Sequence, residues 1–256
     1  MLLAIDIGNT NTVIGLFTDR EIASHWRIQT DPAATADELA AILNGLFNIE
    51  GYDFAGVSGV IIASVVPPAQ TTWATVTRKY FGANPLKVDS RLSSAITIKV
   101  ANPAEVGADR IVNAVAGFER YHTALIIVDF GTAITFDCVS GQGEYLGGAI
   151  APGLGISLEA LVSRTAKLPR VDLTSPPPHA IGANTSDAIK SGLLFGCGGM
   201  VEELLRRLRL EMAPETPTVI ATGGMAGLIV PFAPSIKAVL PMLTLEGLRL
   251  LHERNC

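Results

Sequence analysis

The chain has 256 residues, 48% hydrophobic and 17% charged, with a formal net charge of −5. That length accommodates one or two domains, each with its own core. The acidic balance speaks against a broad nucleic-acid surface, so an anionic ligand would be held by local groups rather than by the overall field.

Residues 2–5 read as an apolar strand running into Asp6-Ile7-Gly8-Asn9-Thr10-Asn11-Thr12, with Val13 to Phe17 as a second strand. Because Asp6 interrupts the apolar opening and no basic segment precedes it, a signal peptide is not expected. Glu21 to Ile28 reads as a third strand, and Thr35 to Asn48 as a helix with Leu39, Ile42, Leu43 and Leu46 on one face. A buried strand over 57–66, a helix over 68–80 and a strand over 85–88 follow. Glu105-Val106-Gly107-Ala108-Asp109-Arg110 then leads into a helix whose apolar face carries Ile111, Val112, Ala114, Val115 and Phe118.

The next strand, 125–128, runs into Asp129-Phe130-Gly131-Thr132-Ala133-Ile134-Thr135 and a second strand over 136–139. A third strand is expected over 144–150 and a helix over 156–165. A Pro-rich loop follows over 168–183, where three consecutive prolines can join neither a helix nor a central strand. A long helix is expected over 186–210, its continuity weakened by Gly192, Gly196, Gly198 and Gly199. The chain closes with a strand over 218–221, the start of a helix over 226–231 and an amphipathic helix over 243–253. The apolar runs are one buried strand long, far short of the ~20 residues of a spanning helix, so no membrane segment is expected.

Strand, D-x-G-x-x-x-T, strand thus occurs twice, the second Asp 123 residues after the first. So long an offset points to two related domains rather than a solenoid. The division reads as 1–106 and 107–256, loose within 90–107, with the last helix able to pack back on the first domain. Each half is an α/β unit, a mixed sheet flanked by helices.

A Gly directly after a strand lets backbone approach a ligand that a β-carbon would exclude. Thr and Asn side chains, with successive N–H groups, can form a nest for phosphate oxygens. The strand-end Asp is suited to a cation that neutralises that phosphate. One such turn alone is equally an Asp-Gly hairpin; two facing copies make a nucleotide cleft between the domains. Ala221-Thr222-Gly223-Gly224-Met225 is a third Gly-rich turn, either a plain strand-to-helix turn or a wall beside adenine or ribose. Neither a P-loop nor a dinucleotide fingerprint is present.

Asp109 and Arg110 fall in the first turn of their helix. The dipole favours an acid there and disfavours a cation, so Arg110 calls for another reason to be in place. Arg can hold a carboxylate or phosphate in bidentate fashion, while Asp accepts a hydroxyl proton. His25, His122, His179 and His252 are scattered without zinc spacing. Cys138, Cys197 and Cys256 lie far apart without a CxxC pair, as reduced thiols of a cytoplasmic protein would.

Several of these stretches, in order along nearly the whole chain, resemble type III pantothenate kinases. They are the D-x-G-N-T opening, Gly107-Ala108-Asp109-Arg110, Asp129-Phe130-Gly131-Thr132, 146–153 (LGGAIAPG), 181–185 (IGANT), Thr222-Gly223-Gly224 and 243–248 (LTLEGL). The resemblance implies duplicated actin-like (ribonuclease H-like) domains of the acetate and sugar kinase superfamily. It implies phosphorylation of pantothenate by ATP, the first step toward coenzyme A, in a cytoplasmic homodimer with sites near the interface. On that basis Asp6, Ile7, Gly8, Asn9, Thr10, Asn11, Thr12, Val13 and Thr132 contact ATP, with Asp6 near Mg²⁺. Asp129 binds a monovalent cation, potassium or ammonium. Gly107, Ala108, Asp109 and Arg110 contact pantothenate, Asp109 as proton acceptor, and Thr185 does so from the neighbouring subunit.

Two positions depart from the family pattern. Val100 stands where an aromatic substrate contact is common, and Leu240 where an Asp often precedes the Pro. Two other readings share these motifs: a non-catalytic nucleotide-binding transcriptional accessory factor, and another small-molecule kinase of the superfamily. Asp109, Arg110 and Thr185 favour the kinase over the first, because a pure regulator need not keep an acceptor site.

Overall fold

A computed structural model describes residues 1–92 and 96–256, so three positions of the 90–107 boundary region lie outside the described residues. In chain order the strands and helices are β1 (Leu2–Ile7), β2 (Asn11–Thr18), β3 (Glu21–Gln29), α1 (Ala36–Ile49), β4 (Gly59–Ser64), α2 (Pro67–Tyr80), β5 (Leu86–Lys87), β6 (Thr97–Ile98) and α3 (Ala108–Tyr121). Then come β7 (Leu125–Phe130), β8 (Ala133–Val139), β9 (Glu144–Pro152), α4 (Leu154–Arg164), α5 (Thr185–Glu211), β10 (Thr218–Thr222), α6 (Ala226–Ile229), β11 (Ala238–Val239) and α7 (Leu243–Asn255).

The chain forms two compact units. One comprises Met1–Ala95, Ala101–Glu119 and Met242–Cys256; the other comprises Ile96–Val100 and Arg120–Pro241. The first sheet has the order β3-β2-β1-β4-β5, and the second β11-β10-β7-β8-β9-β6. Read from β9 to β11, the second repeats the order of the first: an antiparallel meander followed by strands parallel to its first member. The D-x-G turn joins equivalent strands in both, β1 to β2 and β7 to β8.

In the first unit, alternate apolar residues of the strands (Leu3, Ile5, Ile14, Leu16, Ile62) meet Leu39, Leu43 and Phe47 of α1 and Trp73 of α2. Thr35 caps α1 in a capping box: it accepts from the Glu38 N–H at 3.3 Å, and its own N–H donates to the Glu38 carboxylate at 2.8 Å. Helix α7 also packs on β1 and β4. Both central strands are therefore apolar on two faces, as strands covered by helices on both sides must be.

A single cut after residue 106 falls inside the 101–119 segment of the first unit. That segment carries most of α3, which is held to α7 by close backbone approach. A β-carbon on Gly247 would lie 2.3 Å from the Val112 carbonyl oxygen, and the Thr244 hydroxyl donates to Asn113 Oδ1 at 2.8 Å.

In the second unit Ile126, Val128, Phe130, Ile134 and Phe136 pack against α4, α5 and α6. Helix α5 runs unbroken through its four glycines because Leu194, Val201 and Leu205 anchor it in that core. The helix expected over 226–231 is only four residues of α-helix followed by a 3-10 turn at Val230–Phe232. No helix among the described residues is long and apolar enough to cross a membrane.

Candidate active site

In the first unit Asp6 is the penultimate residue of β1. The Gly8 N–H closes the turn on the Asn11 carbonyl at 3.0 Å, and Asn9 and Thr10 stand exposed at its tip. Thr12 is buried, its hydroxyl 2.9 Å from that of Thr30, which ties the turn to β3. Ile7 is fully buried and takes part through its backbone: its carbonyl accepts from the Val65 N–H at 3.1 Å. The Asn9 and Thr10 residues are therefore the solvent-facing part of the turn, with half-buried Asp6 at its base.

Val65 joins this turn to the acceptor segment, because a β-carbon on Gly107 would sit 3.6 Å from Val65 Cγ1. Gly107-Ala108-Asp109-Arg110 is thus brought to the same end of the first sheet as Asp6. The approach is set by a 3-10 turn, Pro103–Glu105, capped by Asn102. Its carbonyl accepting both Arg110 and Ile111 N–H groups, at 3.1 and 3.2 Å, Gly107 then starts α3. The Arg110 N–H donates to Asp109 Oδ1 at 2.8 Å. Burial pushes the Asp109 carboxyl above its ordinary 3.8, against the opposing pull of the Arg110 N–H and guanidinium. A carboxyl so placed is a better proton acceptor than a solvated one.

In the second unit Asp129 is the penultimate residue of β7, and the Gly131 N–H closes its turn on the Ala133 carbonyl at 3.0 Å. Thr222 of β10 lies beside Asp129 in parallel register. Gly223 follows with φ +93°; a β-carbon there would fall 2.4 Å from Asp129 Oδ1 and 2.6 Å from the Phe130 nitrogen. Only glycine lets this turn close over the carboxylate. Thr132 is exposed, and its carbonyl accepts from the Gly153 N–H at 3.1 Å, at the head of α4. The Asp129 turn, Thr132 and the Gly223 turn are therefore assembled together. Thr185 belongs to neither turn: it is the exposed first residue of α5, next to the N-cap Asn184.

Val100, the departure from the family pattern, lies 3.5 Å from where a β-carbon on Gly147 would be. A polar cluster on β8 and β9 was not anticipated from the sequence. Asp137 is fully buried and accepts from the Tyr145 hydroxyl at 2.8 Å and the Thr135 hydroxyl at 3.2 Å. Its signal was an Asp two residues beyond Thr135, on the same face of a strand that is otherwise mostly apolar.

Among the described residues there is no group of three or more His, Cys, Asp or Glu that could hold a metal ion. The donors at both turns are single carboxylates with hydroxyl and carbonyl oxygens. That set suits hard cations, which complete their coordination with phosphate and water.

Paired sheets of one topology, each headed by an Asp-Gly turn, define an actin-like fold of the sugar-kinase type. Solved structures share it. The chain is similar to a ROK family glucokinase from Streptomyces griseus, solved with glucose and AMPPNP, at TM-score 0.56 and 13% identity over 98% of each chain. It is also similar to a Campylobacter jejuni protein described as a Baf family transcriptional activator, at TM-score 0.61 and 15% identity over 99% of this chain and 98% of that one. The chain belongs to the type III pantothenate kinase family, whose model matches residues 2–207. It is 50% identical to the type III pantothenate kinase of Geobacter sulfurreducens over all of this chain and 99% of that one. It is 49% identical to that of Moorella thermoacetica over the full length of both.

Proposed function

We propose that this protein transfers the γ-phosphoryl group of ATP to the terminal hydroxyl of pantothenate, yielding 4′-phosphopantothenate for coenzyme A synthesis. The observation that carries the reading is Asp109, a half-buried carboxyl at the start of α3 whose desolvation raises its pKa, held beside the Asp6 turn through Gly107 and Val65.

Phosphoryl transfer passes through a loose transition state, so positioning and charge neutralisation do most of the work. On this reading Asn9, Thr10 and Asn11 of the first unit, and Thr132 of the second, are contacts of the ATP phosphates. Arg110 holds the pantothenate carboxylate in bidentate fashion. Asp109 accepts a hydrogen bond from the attacking hydroxyl and takes its proton as bonding to phosphorus develops, for a general-base contribution of about 10²–10⁴-fold. Asp6 would hold Mg²⁺ through water and Asp129 a potassium or ammonium ion; when bound, these ions neutralise charge on the phosphate oxygens. We further place Thr185 at the pantothenate site of a partner subunit in a cytoplasmic homodimer.

The test is a coupled assay of ADP release with ATP, Mg²⁺ and potassium, with and without pantothenate. Release that depends on pantothenate is expected. A rate indifferent to pantothenate rejects the proposal.

A further inference from the structure

In the second unit, β7, β8 and β9 bring further polar side chains to the sheet face that carries Asp129. Asp129 lies directly opposite Thr135 in the β7–β8 ladder. Directly opposed residues put their side chains on one face, with β-carbons about 5 Å apart. Two residues further along β8, buried Asp137 receives the Thr135 and Tyr145 hydroxyls.

Tyr145 reaches Asp137 because the β8–β9 register shifts. Cys138 pairs with Gly147, but Val139 pairs with Tyr145, leaving Leu146 as an extra residue on β9. Gly147 carries φ +103°, a conformation that side chains resist and that the bulge requires. The Leu146-Gly147-Gly148 sequence thus aims the Tyr145 hydroxyl at Asp137.

A threonine hydroxyl has one proton and two lone pairs. As a carboxylate, Asp137 accepts that proton, so what Thr135 can offer on the Asp129 side is lone pairs. Asp129 likewise offers carboxylate oxygens. A charged and a neutral oxygen side by side suit a hard cation of low charge, because a small divalent ion gives up its water reluctantly.

We propose that Thr135, its proton held by Asp137 and Tyr145, is a second oxygen ligand beside Asp129 for a weakly hydrated monovalent cation. Asp137 and Tyr145 are then positioning residues that keep Thr135 turned as an acceptor. The inference rests on the reading of Asp129 as a cation ligand.

The experiment measures the thermal midpoint of the full chain during a KCl titration, with choline chloride holding ionic strength constant. The potassium activation constant is measured alongside. Wild type should show a saturable potassium-dependent rise, and Asp129→Ala should abolish it. Thr135→Val should weaken apparent potassium affinity about tenfold or more, the loss typical of a disturbed metal-site partner. Thr135→Ser, which keeps the oxygen, should retain near wild-type affinity, and Tyr145→Phe should weaken affinity, but by less than loss of the ligand oxygen itself.

Wild-type potassium affinity in Thr135→Val, with the response lost in Asp129→Ala, overturns this inference and leaves the cation reading standing. A response that survives Asp129→Ala, or no response in wild type, overturns both. Should Thr135→Val fail to fold, Tyr145→Phe decides, and unchanged affinity there rejects the positioning role.

Discussion

The Asp109 carboxylate rests against the α-carbon of Gly107: a β-carbon at position 107 would fall 2.6 Å from Oδ1. The opposing atom is the tip of a side chain rather than backbone, so an added methyl displaces the carboxylate more readily than it disrupts the fold. Gly107→Ala should therefore stay folded, with a small change in thermal midpoint, yet lose about tenfold or more in kcat, since ångström-scale misplacement can cost ~10²-fold. Unchanged kcat in the folded variant would show that the position of Asp109 does not matter.

Asp109→Asn separates a catalytic from a structural role. The amide oxygen can still accept from the Arg110 N–H, so ATP affinity should hold while kcat falls about 10²-fold or more. Stability should move in a defined direction. Burial raises the folded-state pKa above the ordinary 3.8. The contribution of Asp109 is then fully present below the unfolded pKa and is lost as pH rises through the folded one. The thermal midpoint of Asp109→Asn, relative to wild type, should rise across that interval and equal or exceed wild type at neutral pH. In wild type the acid limb of kcat/KM should lie above pH 3.8, because the acceptor must be ionised. Melting curves and rates on one preparation over a pH series check both.

Gly223 and Gly131 form a matched pair beside Asp129. A β-carbon at 223 meets Asp129 Oδ1 and the Phe130 backbone within 2.7 Å at φ +93°, whereas one at 131 comes no closer than 3.4 Å to anything. Gly223→Ala should lose about 2 kcal/mol or more of stability, from overpacking and left-handed strain together. Gly131→Ala should lose less. Denaturant unfolding of both variants measures the difference, and equal losses would contradict the close packing over Asp129.

If Thr185 serves the site of a partner subunit, two inactive variants can complement each other. Mixing Asp109→Asn with Thr185→Ala under conditions of subunit exchange should restore activity toward one quarter of wild type, since a hybrid dimer holds one intact site. Activity that never exceeds the sum of the separate variants, with exchange verified by light scattering and mass tags, would place Thr185 outside a shared site.

Much of the fold was legible because its signals are local. The two D-x-G turns after apolar strands mark the heads of both sheets, and the spacing of Leu39, Ile42, Leu43 and Leu46 marks α1. What escaped depends on register or long-range packing. The edge strands β6 and β11, two residues each, are too short to carry a period. The Leu146 bulge that turns Tyr145 toward Asp137 requires knowing which residues of β8 and β9 pair. The membership of α3 in the first unit comes from Gly247 against Val112, a contact no local pattern announces. At the proposed site, Asp109 and Arg110 stand out from their helix position, whereas the fit of Asp109 against Gly107 requires the folded structure.

The central claim is that Asp109 makes this chain a pantothenate kinase, and the most direct measurement is the product itself. Wild type and Asp109→Asn, both verified as folded, are incubated with ATP, Mg²⁺, potassium and pantothenate, and 4′-phosphopantothenate is quantified by mass spectrometry. Product from wild type, with at least about a hundredfold less per unit time from the variant, is the predicted result. No product from wild type, or a variant that keeps a large fraction of the wild-type rate, would contradict it.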